Sequence, residues 1–204
     1  EPLVLGHEIS GTIIETGPGV RGLEAGGKAA LDPSRPCLRC RYCRAGRSNL
    51  CVDMWFLGSA GRMPHSQGGF SQHLVLRADQ VIPVPEDANL QHVAMAEPLS
   101  VALHAVNQAG SLHGRRVIVT GSGPIGLLTA RAARNAGALE VVCTDVEDAP
   151  LSLALRAMGA TGTVNVRRDP EGLARFATDD LAFDVAFEAS GSPDALASLF
   201  RVLR

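Results

Sequence analysis

Apolar and polar residues alternate with a period of two through the first half of the chain. The runs ISGTIIET (9–16), KAALD (28–32), FSQHLVLR (70–77) and QVIPVP (80–85) predict short β-strands, separated by turn sequences such as GPG. The rhythm changes near residue 98. RVIVTG (116–121) predicts a buried strand, and PIGLLTARAARNAG (124–137) a helix with Pro124 at its start and Gly137 at its end. LEVVCTD (139–145), ATGTVNV (160–166) and AFDVAFEASG (182–191) predict further strands. APLSLALRAMGA (149–160), PEGLARFATDD (170–180) and PDALASLFRVL (193–203) predict the helices that follow each of them. Strict alternation of strand and helix implies a parallel sheet with helices on its faces. The connecting stretch NLQHVAMAEPLSVALHAVNQAG (89–110) reads as helical but for Pro98, which predicts a fresh helix over 98–109.

Composition narrows the class. The 204 residues are 46% hydrophobic and 20% charged, enough for one large domain or two modest ones with an apolar core. A net charge of −2 gives no sign of a polyanionic partner, and no apolar run is long enough to cross a bilayer. No basic stretch followed by an apolar one marks the chain for secretion. A reducing compartment, the cytoplasm, is therefore expected, which disfavours structural disulfides, and neither nucleic acid nor membrane is indicated as a partner. The chain opens EPLVLGHEIS without an initiator methionine and closes LASLFRVLR inside a predicted helix, so a segment cut from a longer protein is expected.

The sequence GSGPIG, Gly121 to Gly126, fits G-x-G-x-x-G between a strand and a helix, the context that gives this motif its meaning. Gly121 allows the tight turn, Gly123 lets a pyrophosphate approach the backbone, and Gly126 lets the helix pack on the strand. With Pro124 and Ile125 they open a helix whose first N–H groups can receive phosphates. Asp145 ends the next strand, placed to bond the adenosine ribose hydroxyls; its charge favours NAD over NADP.

Cys37, Cys40, Cys43 and Cys51 follow the spacing C-x2-C-x2-C-x7-C in one loop. The tight spacings and the compartment argue against disulfides, and nothing else in the chain suggests an iron–sulfur electron carrier. Four thiolates fill a tetrahedral shell and leave no position for substrate, so structural zinc is expected. Arg35, Arg39, Arg41, Arg44 and Arg47, interleaved with the cysteines, read as a solvated loop surface; Cys143, alone in a strand, reads as a core residue. His7 and Glu97 are, separately, a histidine before a strand and an acid suited to a helix start. An imidazole and carboxylates that met around an open position would instead suit a catalytic zinc.

GHEISGTIIETGPGV matches the zinc signature G-H-E-x2-G-x5-G-x2-V at Gly6, His7, Glu8, Gly11, Gly17 and Val20. In this and in the order of the cysteine loop, EPLSVALHAV, GSGPIG and FEASG, the chain resembles the zinc-containing medium-chain alcohol dehydrogenases over essentially its whole length. Glu97 in AEPL, in place of a cysteine, resembles the polyol dehydrogenase branch, and MWFLGSAGRMPHSQGGF is similar to the bacterial L-idonate 5-dehydrogenase group.

The resemblance implies an α/β fold with two domains. A partial GroES-like β domain at 1–97 would precede a partial Rossmann doubly wound parallel sheet at 98–204, with substrate and nicotinamide in the cleft. It implies that His7 and Glu97 are catalytic zinc ligands, Glu97 directly or through water. Glu8 is a ligand or its close neighbour, and the four cysteines hold the structural zinc. Zinc and NAD, with NADP possible, are the implied cofactors. A sugar acid or polyol is the implied substrate, and the full-length form is expected to be a homo-oligomer. Phe56 and His65 are candidates for the substrate pocket. The family's catalytic cysteine and its proton-relay neighbours are expected in a segment before Glu1, so no catalytic cysteine is named. Gly27 and Ala29 stand where relatives show Asp and Val, and Pro150 where a basic residue often lies near the adenosine. A zinc-free quinone reductase would lack both GHE and the cysteine loop, and a zinc-knuckle nucleic-acid-binding protein would leave the glycine motif without a purpose.

Overall fold

Short alternating runs broken by glycine and proline can build only small antiparallel ladders, and the first half of the chain forms two of them. In the computed structural model, which describes residues 2–178 and 180–204, strand β1 (Ser10–Thr12) pairs with β2 (Lys28–Leu31), Ser10 opposite Ala30 and Thr12 opposite Lys28. Strand β3 (Ser34–Arg35) pairs antiparallel with β4 (Trp55–Phe56), and the loop between them carries the cysteines and a single helical turn, α1 (Arg41–Arg44). Strand β5 (Val81–Pro83) completes the first sheet in the order β1-β2-β5.

The run FSQHLVLR forms no strand. Its alternation is real, but no neighbouring strand among the described residues offers it a ladder, and Phe70 and Val75 stand 78% and 99% exposed. Helix α2 (Leu90–Ala94) is followed after Met95 by α3 (Ala96–Gln108). Pro98 therefore lies inside the first turn of α3 rather than opening a helix. A proline there breaks no hydrogen bond, because first-turn N–H groups have no partner within the helix.

The second half folds around strand β6 (Arg116–Thr120), helix α4 (Pro124–Asn135), strand β7 (Glu140–Asp145), helix α5 (Asp148–Ala157), strand β8 (Gly162–Asn165), strand β9 (Val185–Glu188) and helix α6 (Pro193–Leu199). The four strands are parallel in the order β8-β7-β6-β9. Both faces of this sheet are covered, which is why its strands read as nearly continuous apolar runs. Val117, Val119, Val141 and Cys143 pack with Leu127, Ala130 and Leu151 in one core; Ile118, Val142 and Val164 pack with Phe176, Phe183 and Leu199 in the other. Burial pushes the Cys143 thiol up to about 12.

PEGLARFATDD does not form an α-helix. It folds as turns with one 3-10 segment at Ala174–Phe176, and its residue 179 lies outside the described residues. Gly172 sits so close to the Asp169 carboxylate that a β-carbon would not fit, and glycine, threonine and aspartate are poor helix formers. The last helix also ends earlier than its pattern suggests, because Leu203 bridges Phe183 beside the sheet. Contacts divide the chain into two units, Glu1–Glu97 and Pro98–Arg204.

Phe183 is fully buried, with its ring 4.8 Å from that of Phe176. Phe183→Ala is expected to destabilise the second unit by about 3–5 kcal/mol. Urea denaturation should show a lower midpoint at unchanged slope; an unchanged midpoint would refute the assignment of this side chain to the core.

Candidate metal centres and dinucleotide turn

His7 stands just before β1 on a backbone held from two sides. Gly68 donates to the Val4 carbonyl at 2.7 Å, Gly69 to Gly6 at 2.8 Å and Phe70 to Leu5 at 2.9 Å. The chains cross so tightly that a β-carbon on Gly68 would lie 2.5 Å from the Gly6 oxygen, and one on Gly58 would lie 2.9 Å from the Gly6 nitrogen. Only glycine permits this crossing. The GG pair at 68–69 was the available signal for it, though a paired glycine says nothing about which segment it meets.

Glu97 reaches His7 from far along the sequence. Ser10 on β1 donates through its hydroxyl to the Leu90 carbonyl at 2.6 Å, and Lys28 on β2 donates to the Ala88 carbonyl at 2.8 Å. The Asn89 side chain accepts from the Gln91 N–H and caps α2. These bonds anchor α2 on the sheet, and Glu97 follows two residues after Met95, on the first turn of α3. His7, Glu8 and Glu97 each offer a ligand atom within 4.8 Å of the others. The Phe56 ring packs edge-on against the His7 imidazole, centroids 5.3 Å apart. Burial, reinforced by the charges of Glu8 and Asp32 and opposed by His7, raises the Glu97 carboxyl above the usual range. A divalent cation among these groups would relieve both penalties. The Nδ1 of His65 lies 3.1 Å from the Arg62 carbonyl oxygen.

The cysteine loop gathers its sulfurs locally. Leu38 adopts a left-handed backbone (φ 58°), a strained conformation for a residue with a side chain, and so turns the chain between Cys37 and Cys40. The α1 turn places the Cys40 and Cys43 sulfurs 3.6 Å apart, and the N–H groups of Cys37 and Asp53 point at the Cys51 sulfur at 3.2 and 3.4 Å. All four sulfurs lie within 4.8 Å of one another, a closed all-sulfur donor set that suits a tetrahedral zinc. The arginines are not all plain solvated surface. Arg35 and Arg62 lie over the Trp55 ring at 5.2 and 5.5 Å, and Asp53 pairs with both Arg39 and Arg62. This lattice braces the loop against the β3–β4 ladder, and sequence reasoning missed it because its members interact across the hairpin.

In the second unit the glycine turn follows β6 and opens α4. A β-carbon on Gly121 (φ 82°) would meet the Ser190 nitrogen at 2.6 Å, and one on Gly126 would collide with the Gly121 carbonyl oxygen. Gly123 faces open space, room that a pyrophosphate could use, and Pro124 occupies the first helical position with Ile125 beside it. Asp145 is already engaged: one carboxylate oxygen accepts from Ser122 N–H at 2.6 Å, the other from Val146 and Glu147 N–H at 2.7 and 2.9 Å. Its position at the C-terminal end of β7, hydrogen-bonded to the glycine turn, fits an acid that reads a ribose.

Hydrogen bonds from the Cys43 and Val52 backbone lower the Cys40 thiol to about 6, whereas burial and the neighbouring Cys40 and Cys51 thiols raise Cys43 to about 12. In metal-free protein at pH 7, Cys40 is therefore mostly thiolate and Cys43 mostly thiol. Iodoacetamide should label Cys40 well before Cys43 or Cys143, and its preference should fade as pH falls below about 6. Peptide mass spectrometry reads the order; equal labelling of Cys40 and Cys43 would refute this account of the loop.

The alcohol dehydrogenase GroES-like domain model matches residues 1–86, and the zinc-binding dehydrogenase model matches residues 124–204. L-idonate 5-dehydrogenase (NAD(P)(+)) from Escherichia coli K12 is 41% identical over 203 residues, covering 100% of this chain and 58% of that protein. Sorbitol dehydrogenase from Bacillus subtilis is 36% identical over 206 residues, covering 100% of this chain and 57% of its own length. The crystal structure of the Escherichia coli L-idonate 5-dehydrogenase superposes with a TM-score of 0.93 at 41% identity, covering 99% of this chain and 57% of that one. The chain thus spans somewhat over half the length of the relatives it matches. The two domain models follow one another along the chain, which thus carries an alcohol dehydrogenase GroES-like domain followed by a zinc-binding dehydrogenase domain built on a Rossmann-type parallel sheet.

Proposed function

We propose that the whole protein is a zinc- and NAD(P)-dependent dehydrogenase that interconverts a secondary alcohol of a sugar acid and its ketone, with L-idonate as substrate and 5-keto-D-gluconate as product. One observation carries this reading: the first unit holds two donor sets of different chemistry, four sulfurs in one and an imidazole with two carboxylates in the other. The sulfur set is saturated by its own chain and suits a brace. The set of His7, Glu8 and Glu97 leaves coordination open, the condition for metal catalysis.

In this reading residues 1–97 form the catalytic domain and 98–204 the coenzyme domain. Zinc would supply a Lewis acid for the alcohol oxygen, and the nicotinamide a hydride acceptor. The chain's own residues do the rest. The glycine crossing at Gly6, Gly58 and Gly68 sets the height of His7, and Phe56 fixes the tilt of its ring. Glu97, anchored through Ser10 and Leu90, closes the donor set from the helix side. Gly121, Gly123, Pro124, Ile125 and Gly126 receive the pyrophosphate, and Asp145 the adenosine ribose. A loop of four thiols suits a reducing compartment, which supports the cytoplasm. Sugar-acid specificity is supported by the 41% identical L-idonate 5-dehydrogenase, and the 36% identical sorbitol dehydrogenase supports a polyol as the second reading.

The full-length protein should be assayed with NAD and NADP against L-idonate, D-gluconate, sorbitol and xylitol. The highest kcat/KM is expected with L-idonate. Turnover of polyols alone would overturn the sugar-acid assignment and leave the dehydrogenase reading intact. Chelation should remove activity and zinc restore it. His7→Ala should lower kcat/KM more than about 100-fold, the upper range for disturbing even a metal's supporting groups; wild-type activity in that variant would sink the proposed catalytic site.

A further inference from the structure

Beside Asp145 lies a charged cluster that the dinucleotide reading does not use. Strand β8 runs parallel to β7 with Asn165 opposite Asp145, so residues 146–148 and 166–168 leave the sheet side by side, at the same C-terminal end of the strands as the glycine turn. Arg167 Nη1 lies 2.8 Å from Glu147 Oε1, both side chains more than 60% exposed (63% and 62%). Arg168 lies 2.5 Å from Asp148 Oδ2. The two pairs are held differently. Asp148 also accepts from the Asn165 side-chain amide at 2.5 Å, so the Arg168 pair is braced by a second side chain from the end of β8. Arg167 has Glu147 alone as its side-chain partner among the described residues. Asn165 Oδ1 accepts from the backbone N–H groups of Arg167 and Arg168 at 3.1 and 3.2 Å, which pins the backbone and leaves the Arg167 side chain to swing. Glu147 precedes α5 without capping it through its side chain, so its carboxylate can let go without loosening the helix.

We infer that Arg167 is the residue that lets this site accept a ribose 2′-phosphate, and that Glu147 sets the balance between the phosphorylated and unphosphorylated dinucleotides by competing for it. The inference rests on the dinucleotide reading above. A strand-end acid alone repels a 2′-phosphate. Here the Asp145 charge is shared among three backbone N–H groups, and the Arg167 guanidinium is held by Glu147, two residues beyond Asp145. An exposed ion pair is weak and easily opened. A phosphate offers that guanidinium two charges and a bidentate geometry which a single carboxylate oxygen does not match. With an unphosphorylated ribose, Arg167 stays on Glu147 and the site reads hydroxyls through Asp145.

The test is fluorescence titration of the full-length protein with NADH and NADPH, comparing the ratio of their dissociation constants. Arg167→Ala should weaken NADPH relative to NADH by about tenfold or more, and Arg167→Lys should recover part of that loss. Glu147→Gln should shift the ratio several-fold toward NADPH. Arg168→Ala, with its neighbouring charge removed in the same way, should leave the ratio within about twofold. A ratio unmoved by Arg167→Ala, or moved equally by Arg168→Ala, would overturn the role of Arg167 while leaving the dinucleotide site standing. Wild-type protein that binds NADH but no NADPH would overturn it too. Failure to bind either dinucleotide would overturn the dinucleotide reading itself, and the inference with it.

Discussion

Backbone approaching backbone, closer than any side chain allows, is the constraint on which both functional regions depend. At the glycine turn a β-carbon on Gly126 would strike the Gly121 carbonyl oxygen, and one on Gly121 would strike Ser190. Those contacts press α4 onto β6 and set the β9–α6 turn beside the glycine turn. At the candidate metal centre the segments around Gly6, Gly58 and Gly68 cross in the same way. Precision in such crossings comes from excluded volume, which is steep, whereas a hydrogen bond alone tolerates several tenths of an ångström. A histidine placed by a crossing of this kind keeps its position before any metal arrives.

Electrostatics then divides labour between the two donor sets. In the cysteine loop, backbone N–H groups favour the thiolate of Cys40, while burial and neighbouring sulfurs hold Cys43 protonated. The thiols still protonated, Cys43 above all, must lose their protons for a metal to bind, so binding strengthens with pH. In the His7 set, burial and two other carboxylates disfavour the charge on Glu97. Both clusters are poor places for their groups when no cation is near and good places when one is, and neither could be replaced by apolar residues without losing that property.

Much of the fold was legible from local pattern. The strands Arg116–Thr120 and Glu140–Asp145 and the helix Pro124–Asn135 follow from apolar runs and from Pro124 and Gly137 at the helix ends. Where reading failed, a partner was involved. FSQHLVLR has a strand's alternation but no ladder among the described residues, PEGLARFATDD is broken by the packing of Gly172, and Pro98 fits inside a helix because the first turn does not need its N–H. The cysteine cluster could be read because its members lie in one loop. Trp55, its two arginines and Asp53 could not, since cation–π and ion-pair contacts across a hairpin leave no periodic trace.

The sequence by itself determined the alternating strands and helices of the second half, the glycine turn and the four-sulfur loop. Each depends on residues within a few positions of one another, so spacing carries the geometry. Only the tertiary structure decided that Glu97 stands with His7 and Glu8, that Phe56 leans on the His7 ring, and that Arg167 sits with Glu147 beside Asp145. Those groups are brought together by sheet pairing and by the anchoring of α2 on β1. The free energy of such contacts is set by burial and by chain crossings, neither of which has a period along the chain.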